Sequence, residues 1–430
     1  MNLKVGVVGA GYVGLTTAVC MATKGIDTFC MDIDPARVRD LRAGRPGIEE
    51  PELEELMGSA LASGALRFTR HYHRLADRDV VFVCVPTPAN DDGSTDLSAV
   101  ESAVGALQEI LPPGSVVVIK STVPVGTLSR LFDLVRVRGI DMVVNPEFLR
   151  EGHAVYDFFN PERVVIGAAA GAGDAAERVA ALYPDQTVLR MSAESAELAK
   201  YASNAFLAVK LSFVNSLAGL CARAGADIND ITECMGADER IGRQFLAPGP
   251  GWGGSCLPKD TAALLHIGAQ HGIALPEVAS ARHTNTSQLE RITAALRDVS
   301  RRQLDELRVT ALGLTFKAGA SDIRDSPALA LCVALQRAGA QVTAYDPRLD
   351  SIQCERLPVA TARDPYVAAK DADAIVVLTE WPEFGELDWG AIERRVAPGA
   401  VVIDTRNIVD REAVTGSQLV CLGNGTVGGY

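Results

Sequence analysis

An α/β fold is what this sequence predicts, with two doubly wound parallel sheets joined by a long central helix and a small helical domain. Three observations carry the prediction. Short β-branched apolar runs alternate with helical stretches at both ends of the 430 residues. The first of these runs leads straight into glycines spaced GxGxxG. The middle holds a proline-free stretch longer than an ordinary helix. Continuous apolar runs, unlike alternating ones, belong to strands covered on both faces, and such strands form parallel sheets flanked by helices.

Taken in order, "LKVGVVGAG" (3–11), "IDTFCMDID" (26–34), "VVFVCVPTP" (80–88), "GSVVVIKSTVP" (114–124) and "DMVVNPEF" (141–148) read as buried strands. "PERVVIG" (161–167) and "QTVLRM" (186–191) close a first Rossmann-like domain, residues 1–195. From 194 to 225 there is no proline, and apolar residues recur at helical spacing, including Leu198, Tyr201, Ala205, Phe206, Val209 and Phe213. That segment predicts a helical spine that links domains or pairs with another subunit. It opens a helical central domain, 196–300, and the charged "RDVSRRQLDELR" (297–308) makes a junction. Strand candidates then return at 307–319, 340–348, 372–381 and 400–408, with a helix at 326–339, giving a second Rossmann-like domain over 301–430.

Composition narrows the partners. Apolar residues are 48% and charged residues 22%, ordinary for a globular chain. A net charge of −13 argues against a general nucleic-acid surface, since phosphate backbones demand a large Lys/Arg excess. No apolar run is read as approaching the roughly 20 residues of a membrane helix, and the amino terminus enters a strand at once, so no signal peptide is read there. Nine cysteines without a CxxC pair make neither a disulfide framework nor a zinc site, and most read as reduced, buried fillers of a cytoplasmic protein. His71, His73, His153, His266, His271 and His283 show no ligand spacing, and no metal is expected.

"GAGYVG" sets Gly9, Gly11 and Gly14 between a strand and a helix, with Asp32 ending the next strand. Gly9 permits the tight turn, Gly11 lets a pyrophosphate approach the backbone, and Gly14 allows helix and strand to pack closely. An acid at Asp32 accepts hydrogen bonds from ribose hydroxyls and repels a 2′-phosphate, which favours NAD over NADP. Arg37 could instead accommodate a phosphate, stack beside adenine or simply pack.

"GPGWGGSCLPKD" (249–260) places Cys256 among glycines and follows it with Lys259 and Asp260. A lone cysteine is more often structural; this context favours a nucleophile, since nearby cations stabilise a thiolate. Such a thiol can add to a carbonyl, lose a second hydride and become a thioester. Lys200 and Asn204 share a helix face. A buried lysine there suits a general base or an oxyanion stabiliser, or its stem packs while its ammonium reaches water. Glu147 and Glu151 in "NPEFLREG" follow a strand end, either to activate water or as a solvated acidic turn. Ser121 and Thr122 could hold water or cofactor, or cap a turn. Lys317 and Arg324 in "FKAGASDIRDSP" could hold a diphosphate, or pair with Asp322 and Asp325.

Nine motifs in order resemble the UDP-glucose/GDP-mannose dehydrogenase family nearly end to end: "GAGYVG", "VCVPTP", "STVPVGT", "NPEFLREG", "ELAKYASNAF", "GPGWGGSCLPKD", "FKAGASDIRDSP", "LTEWPEF" and "DTRN". The resemblance implies an NAD-dependent, four-electron oxidation of a nucleotide sugar's C6 hydroxyl to a carboxylate. UDP-glucose is the substrate favoured, with TDP-glucose or GDP-mannose as alternatives. It implies that Cys256 is the nucleophile, that Lys200, Asn204 and Asp260 handle protons and the oxyanion, and that Glu151 and Thr122 position or activate the hydrolytic water. Cofactor contacts are implied for Gly9, Gly11, Tyr12, Val13, Gly14, Asp32, Arg37, Pro86, Thr87, Ser121, Thr122, Glu151, Lys259 and Arg324. Substrate contacts are implied for Glu147, Phe148, Leu149, Arg150, Glu151, Lys200, Asn204, Arg240, Gly253, Cys256, Phe316 and Lys317. Arg240 is implied to reach a neighbouring subunit's site, and the central helix to form a homodimer. His153 and Tyr156 depart from the family pattern, where smaller or acidic residues are usual.

Overall fold

The computed structural model describes residues 3–169, 171–352, 357–424 and 430. One cysteine of the sequence reading, Cys354, lies outside the described residues. The chain divides into two compact units, Met1–Ser203 with Ala262–Gly272, and Asn204–Thr261 with Ile273–Tyr430.

The first unit is built on eight strands: β1 (Val5–Val8), β2 (Thr28–Met31), β3 (Leu66–Thr69), β4 (Val80–Val83), β5 (Val116–Ile119), β6 (Asp141–Val144), β7 (Val164–Ala168) and β8 (Val188–Ser192). Their order is β3-β2-β1-β4-β5-β6-β7-β8. Every residue of β1, β2, β4 and β5 is buried, and separate apolar clusters cover the two faces of the sheet. This is what continuous apolar runs require. Two features depart from the sequence reading. β3 is a strand that no apolar run marks in the sequence, because Arg67 interrupts "LRFT" and is exposed. β7 runs antiparallel to β6. The intervening segment forms a loop and one short helix, Ala154–Phe159, and β7 sets off from the carboxyl edge of the sheet.

The second unit carries β9 (Arg308–Leu312), β10 (Gln341–Tyr345), β11 (Ala360–Thr361), β12 (Ala374–Val377), β13 (Val401–Asp404) and β14 (Gln418–Cys421), in the order β11-β10-β9-β12-β13-β14 and parallel throughout. Apolar clusters again cover both faces. In both sheets the strand order reverses beside the first strand, between β1 and β4 and between β9 and β12. Ligands of doubly wound sheets bind outside the carboxyl ends at such a reversal.

The spine is one helix of 32 residues, Ala193–Ala224, which passes from the first unit into the second after Ser203. It corrects the expectation that nothing here is long and apolar enough for a membrane: an 18-residue window reaches a mean hydropathy of 1.6. The apolarity divides between two uses. Tyr201, Ala205, Ala208 and Val214 are buried, whereas Phe206, Phe213 and Leu220, spaced at heptad intervals, are 65%, 54% and 62% exposed. Buried polar side chains also punctuate the helix, Glu197, Lys200, Asn204, Ser212 and Asn215 among them.

Candidate active site

In the first unit the glycine turn is shaped as its spacing requires. Gly9 has φ +93°, and a Cβ on it would lie 2.5 Å from the Cys84 carbonyl oxygen. A Cβ on Gly14 would meet the Gly9 carbonyl at 1.9 Å, whereas one on Gly11 would meet nothing within 4 Å. The open side at Gly11 fits a pyrophosphate brought to the amino end of the helix Tyr12–Thr23. Asp32 Oδ2 accepts the Ala10 N–H at 2.8 Å, and its Oδ1 accepts that of Asp34 at 2.9 Å. Arg37 spends its Nε on the Ala10 carbonyl at 2.7 Å, so it braces the turn through that atom. Val13 packs against the core, Pro86 is exposed and Thr87 buried. Ser121 donates to the Val85 carbonyl at 2.7 Å, tying the two loops after β4 and β5 together, and Thr122 beside it is half-buried.

Lys200 and Glu147, read separately from sequence, meet. Lys200 Nζ lies 3.1 Å from Glu147 Oε1, with 5% and 9% side-chain exposure, and over the Phe148 ring at 5.2 Å. The lysine is thus neither unpaired nor reaching for water. Glu147 Oε2 accepts the Leu149 N–H at 2.7 Å. Burial alone would push the Glu147 carboxyl up, but the Lys200 charge and the Leu149 N–H hold it below its ordinary value. Lys120, 5% exposed, donates to Asn145 Oδ1 at 3.0 Å. Burial holds its ammonium below the ordinary value, with Lys200 pushing the same way. Arg150 is committed to Asp157, at 3.0 and 2.6 Å. Leu149 and Glu151 are half-buried.

Sequence reasoning missed Glu197, one helical turn before Lys200. Its oxygens accept the N–H groups of Gly126 at 2.6 Å and Leu128 at 2.7 Å, fixing the loop that holds Ser121 and Thr122. Its place on the buried face of the helix was the available signal. Burial, opposed by those two donors, pushes its carboxyl from 4.5 up to about 7. In that window the fold holds a proton that the unfolded chain has released. Glu197 therefore contributes stability in full below about pH 4.5 and loses it as pH rises through about 7. Thermal melts should show wild-type Tm falling between pH 6 and 8 by about 1–3 °C more than that of Glu197→Gln, which does not titrate. Parallel curves would contradict the assignment.

In the second unit Cys256, half-buried, immediately precedes the helix Leu257–Gln270, and its carbonyl accepts the Asp260 N–H at 2.9 Å. The amino end of a helix favours an anionic sulfur. Ser255 Oγ lies 3.6 Å from the Cys256 sulfur. Asp260 is 1% exposed; Asn204 Nδ2 donates to its Oδ2 at 2.6 Å and Lys259 to its Oδ1 at 2.5 Å. Lys259, proposed for the cofactor, is thereby held on Asp260.

The loop before Cys256 is rich in glycine for a packing reason the sequence did not reveal. A Cβ on Gly253 would fall 1.9 Å from the Asp325 carbonyl oxygen, and one on Gly254 within 3.0 Å of the Phe316 ring. Gly254 N–H donates to the Arg324 carbonyl at 3.0 Å, and Trp252 is pinned by Asn285 and Ser212. The loop is locked onto the segment 316–327. Lys317 stands over Phe316 at 5.6 Å. Arg324 forks onto Asp322, at 2.9 and 2.6 Å, which is the pairing alternative of the sequence reading. Arg240 is exposed and held by Asp238. After β10, buried Asp346 turns inward and accepts the N–H groups of Leu314 and Thr315 at 2.7 and 3.1 Å.

Family models match three stretches of the chain. They are the NAD binding domain of the UDP-glucose/GDP-mannose dehydrogenase family over residues 3–186, that family's central domain over 194–287, and its UDP binding domain over 310–411. The UDP-glucose 6-dehydrogenase of Rhizobium meliloti (strain 1021) is 40% identical over 431 residues, spanning 96% of this chain and 97% of that one. A solved UDP-glucose dehydrogenase from the hyperthermophilic archaeon Pyrobaculum islandicum is similar at TM-score 0.85 and 35% identity, over 97% of each chain. A UDP-D-ManNAc dehydrogenase from Pyrococcus horikoshii is similar at TM-score 0.88 and 27% identity, over 99% of this chain and 100% of that one.

Proposed function

The chain belongs to the UDP-glucose/GDP-mannose dehydrogenase family, and on that premise we propose that it oxidises the C6 hydroxyl of UDP-glucose to the carboxylate of UDP-glucuronate, with NAD as cofactor. The observation that carries the reading is Cys256 at the head of its helix, with buried Asp260 one turn on and fixed by Asn204 at 2.6 Å.

The cofactor supplies a hydride acceptor for each of two oxidations. The turn shaped by Gly9 and Gly14 receives its pyrophosphate at Gly11, and Asp32 its ribose hydroxyls. In the first oxidation a water near Asp260 takes the hydroxyl proton; of the two roles read for Lys200, its pairing with Glu147 as a cation supports the oxyanion stabiliser over the base. The Cys256 sulfur then bonds to the aldehyde carbon, and the oxyanion formed is stabilised by Lys200 and Asn204. After the second hydride leaves, the same sulfur holds the acyl group as a thioester. Water positioned by Glu151 and Thr122 adds to that carbonyl, the C–S bond breaks, and the thiol and a carboxylate result. Lys317 and the glycine loop contact the nucleotide sugar, and Arg324 faces the cofactor.

Counting NADH per sugar across UDP-glucose, TDP-glucose and GDP-mannose tests the proposal. The expected result is a ratio of two, with UDP-glucose preferred. A ratio of one points to a two-electron hydroxyacid-type dehydrogenase instead, and preference for another sugar reassigns the substrate while keeping the chemistry.

The exposed stripe Phe206, Phe213 and Leu220 supports a homodimer through the long helix, since a heptad-spaced apolar row is the seam of paired helices. A Phe206→Glu/Phe213→Glu variant should sediment as a monomer where wild type sediments as a dimer. A dimeric variant would remove this face from the interface.

A further inference from the structure

We propose that Glu50 is a positioning residue for the hydrolytic half of the reaction: it anchors the turn that carries Glu151 to the first helical residue of the cofactor loop. The side chain sits in an acid-rich string, "EEPELEEL" (49–56), where sequence alone suggests a solvated surface. Instead Glu50 is 8% exposed. Its carboxylate accepts four donors. Oε2 takes the Tyr12 hydroxyl and the Gly152 N–H at 2.9 Å, and Oε1 takes the N–H groups of Ala154 at 2.6 Å and Val155 at 3.4 Å. The Gly152 N–H is shared with the Tyr12 oxygen, also at 2.9 Å.

Every one of these partners is a neutral donor, so the site is built around an anion held by dipoles. A buried carboxylate is costly unless its oxygens are satisfied, and here they are. The geometry matters because of what the partners carry. Tyr12 opens the helix at the glycine turn. Gly152 follows Glu151, and Arg150 on the other side is fixed by Asp157, through its N–H at 2.9 Å and its guanidinium. Glu151 is therefore pinned through both neighbours, and one of the two pins is Glu50. Gly152 has φ +82°, a left-handed conformation that glycine adopts without a Cβ clash.

This rests on the reading of Glu151 as the group that positions the hydrolytic water. On that reading, a turn released from Glu50 slows thioester hydrolysis and leaves the two oxidations largely intact. In Glu50→Gln an amide N–H replaces one acceptor and faces donors. Stopped-flow mixing with UDP-glucose and NAD should then give a first-turnover burst approaching two NADH per subunit, followed by a steady state slowed about tenfold or more. KM for the sugar should stay within about threefold, and acid quenching should recover a sugar-acyl adduct on Cys256 that wild type does not accumulate. Glu50→Asp keeps the charge, draws the carboxylate back by one methylene, and should show the same pattern at smaller amplitude; it decides the matter if Glu50→Gln does not fold. Wild type releasing one NADH per sugar would overturn the underlying reading. Wild type releasing two, with a variant whose burst slows in step with its steady state or whose kcat is unchanged, would overturn the role of Glu50 alone.

Discussion

Cys256→Ala is expected to lower uronate formation by about a thousandfold or more while leaving sugar binding within a few fold, because it deletes the one atom proposed to carry the acyl group. The surroundings of that atom survive the change. Asp260 stays buried and held by Asn204 and Lys259, and the loop stays locked through Gly253 and Gly254. Four of the buried thiols are poor substitutes. Burial pushes Cys20, Cys84 and Cys332 up to about 12 and Cys421 to about 11, so all four stay protonated at neutral pH. Cys256→Ser should keep a slow first oxidation and stop near the aldehyde, since a hydroxyl is a far weaker nucleophile than a thiolate. NADH counted per sugar and peptide mapping of an acid-quenched reaction check both variants. Full turnover by the alanine variant, or an adduct on another cysteine, would end the covalent mechanism.

Much of the fold could be read from residue order because it depends on local chemistry. Four buried residues in a row in β1, β4 and β5 read as apolar runs. Gly9 and Gly14 occupy positions where a side chain would collide with backbone, and their spacing alone marks them. What escaped depends on contacts between distant segments. β11 has only two residues, and β3 and β14 each include exposed residues, so no apolar run announces them. Glu50 lies in an acid-rich string, where only packing of the rest of the unit shows which acid is buried, whereas Glu197 could have been placed by the helix face it shares with Lys200. In sequence the glycines before Cys256 read as part of a nucleophile's setting. The structure gives a different cause: the Asp325 carbonyl and the Phe316 ring occupy the space where side chains would stand. Lys200 could be placed on a buried helix face, but its partner comes from the loop after β6, which no helical spacing can foretell.

That partnership sets the second large effect. Glu147→Ala should cost about 3–5 kcal/mol of stability, far more than its few lost contacts, because it strands a cation that is 5% exposed. Lys120, buried close enough to feel both groups, adds repulsion that the carboxylate now offsets. Lys200→Met should cost less, since Glu147 keeps the Leu149 N–H and the nearby Lys120 charge. Combining Glu147→Gln with Lys200→Met removes both charges at nearly constant volume and should recover most of the stability, as replacing a whole buried pair usually does. Activity should not recover with it, because Lys200 is proposed to hold an oxyanion that methionine cannot. Denaturant melts and NADH release on the same three preparations separate the two roles. A double variant as unstable as Glu147→Ala would mean the pair is not what holds this region, and one that turns over would remove Lys200 from the chemistry.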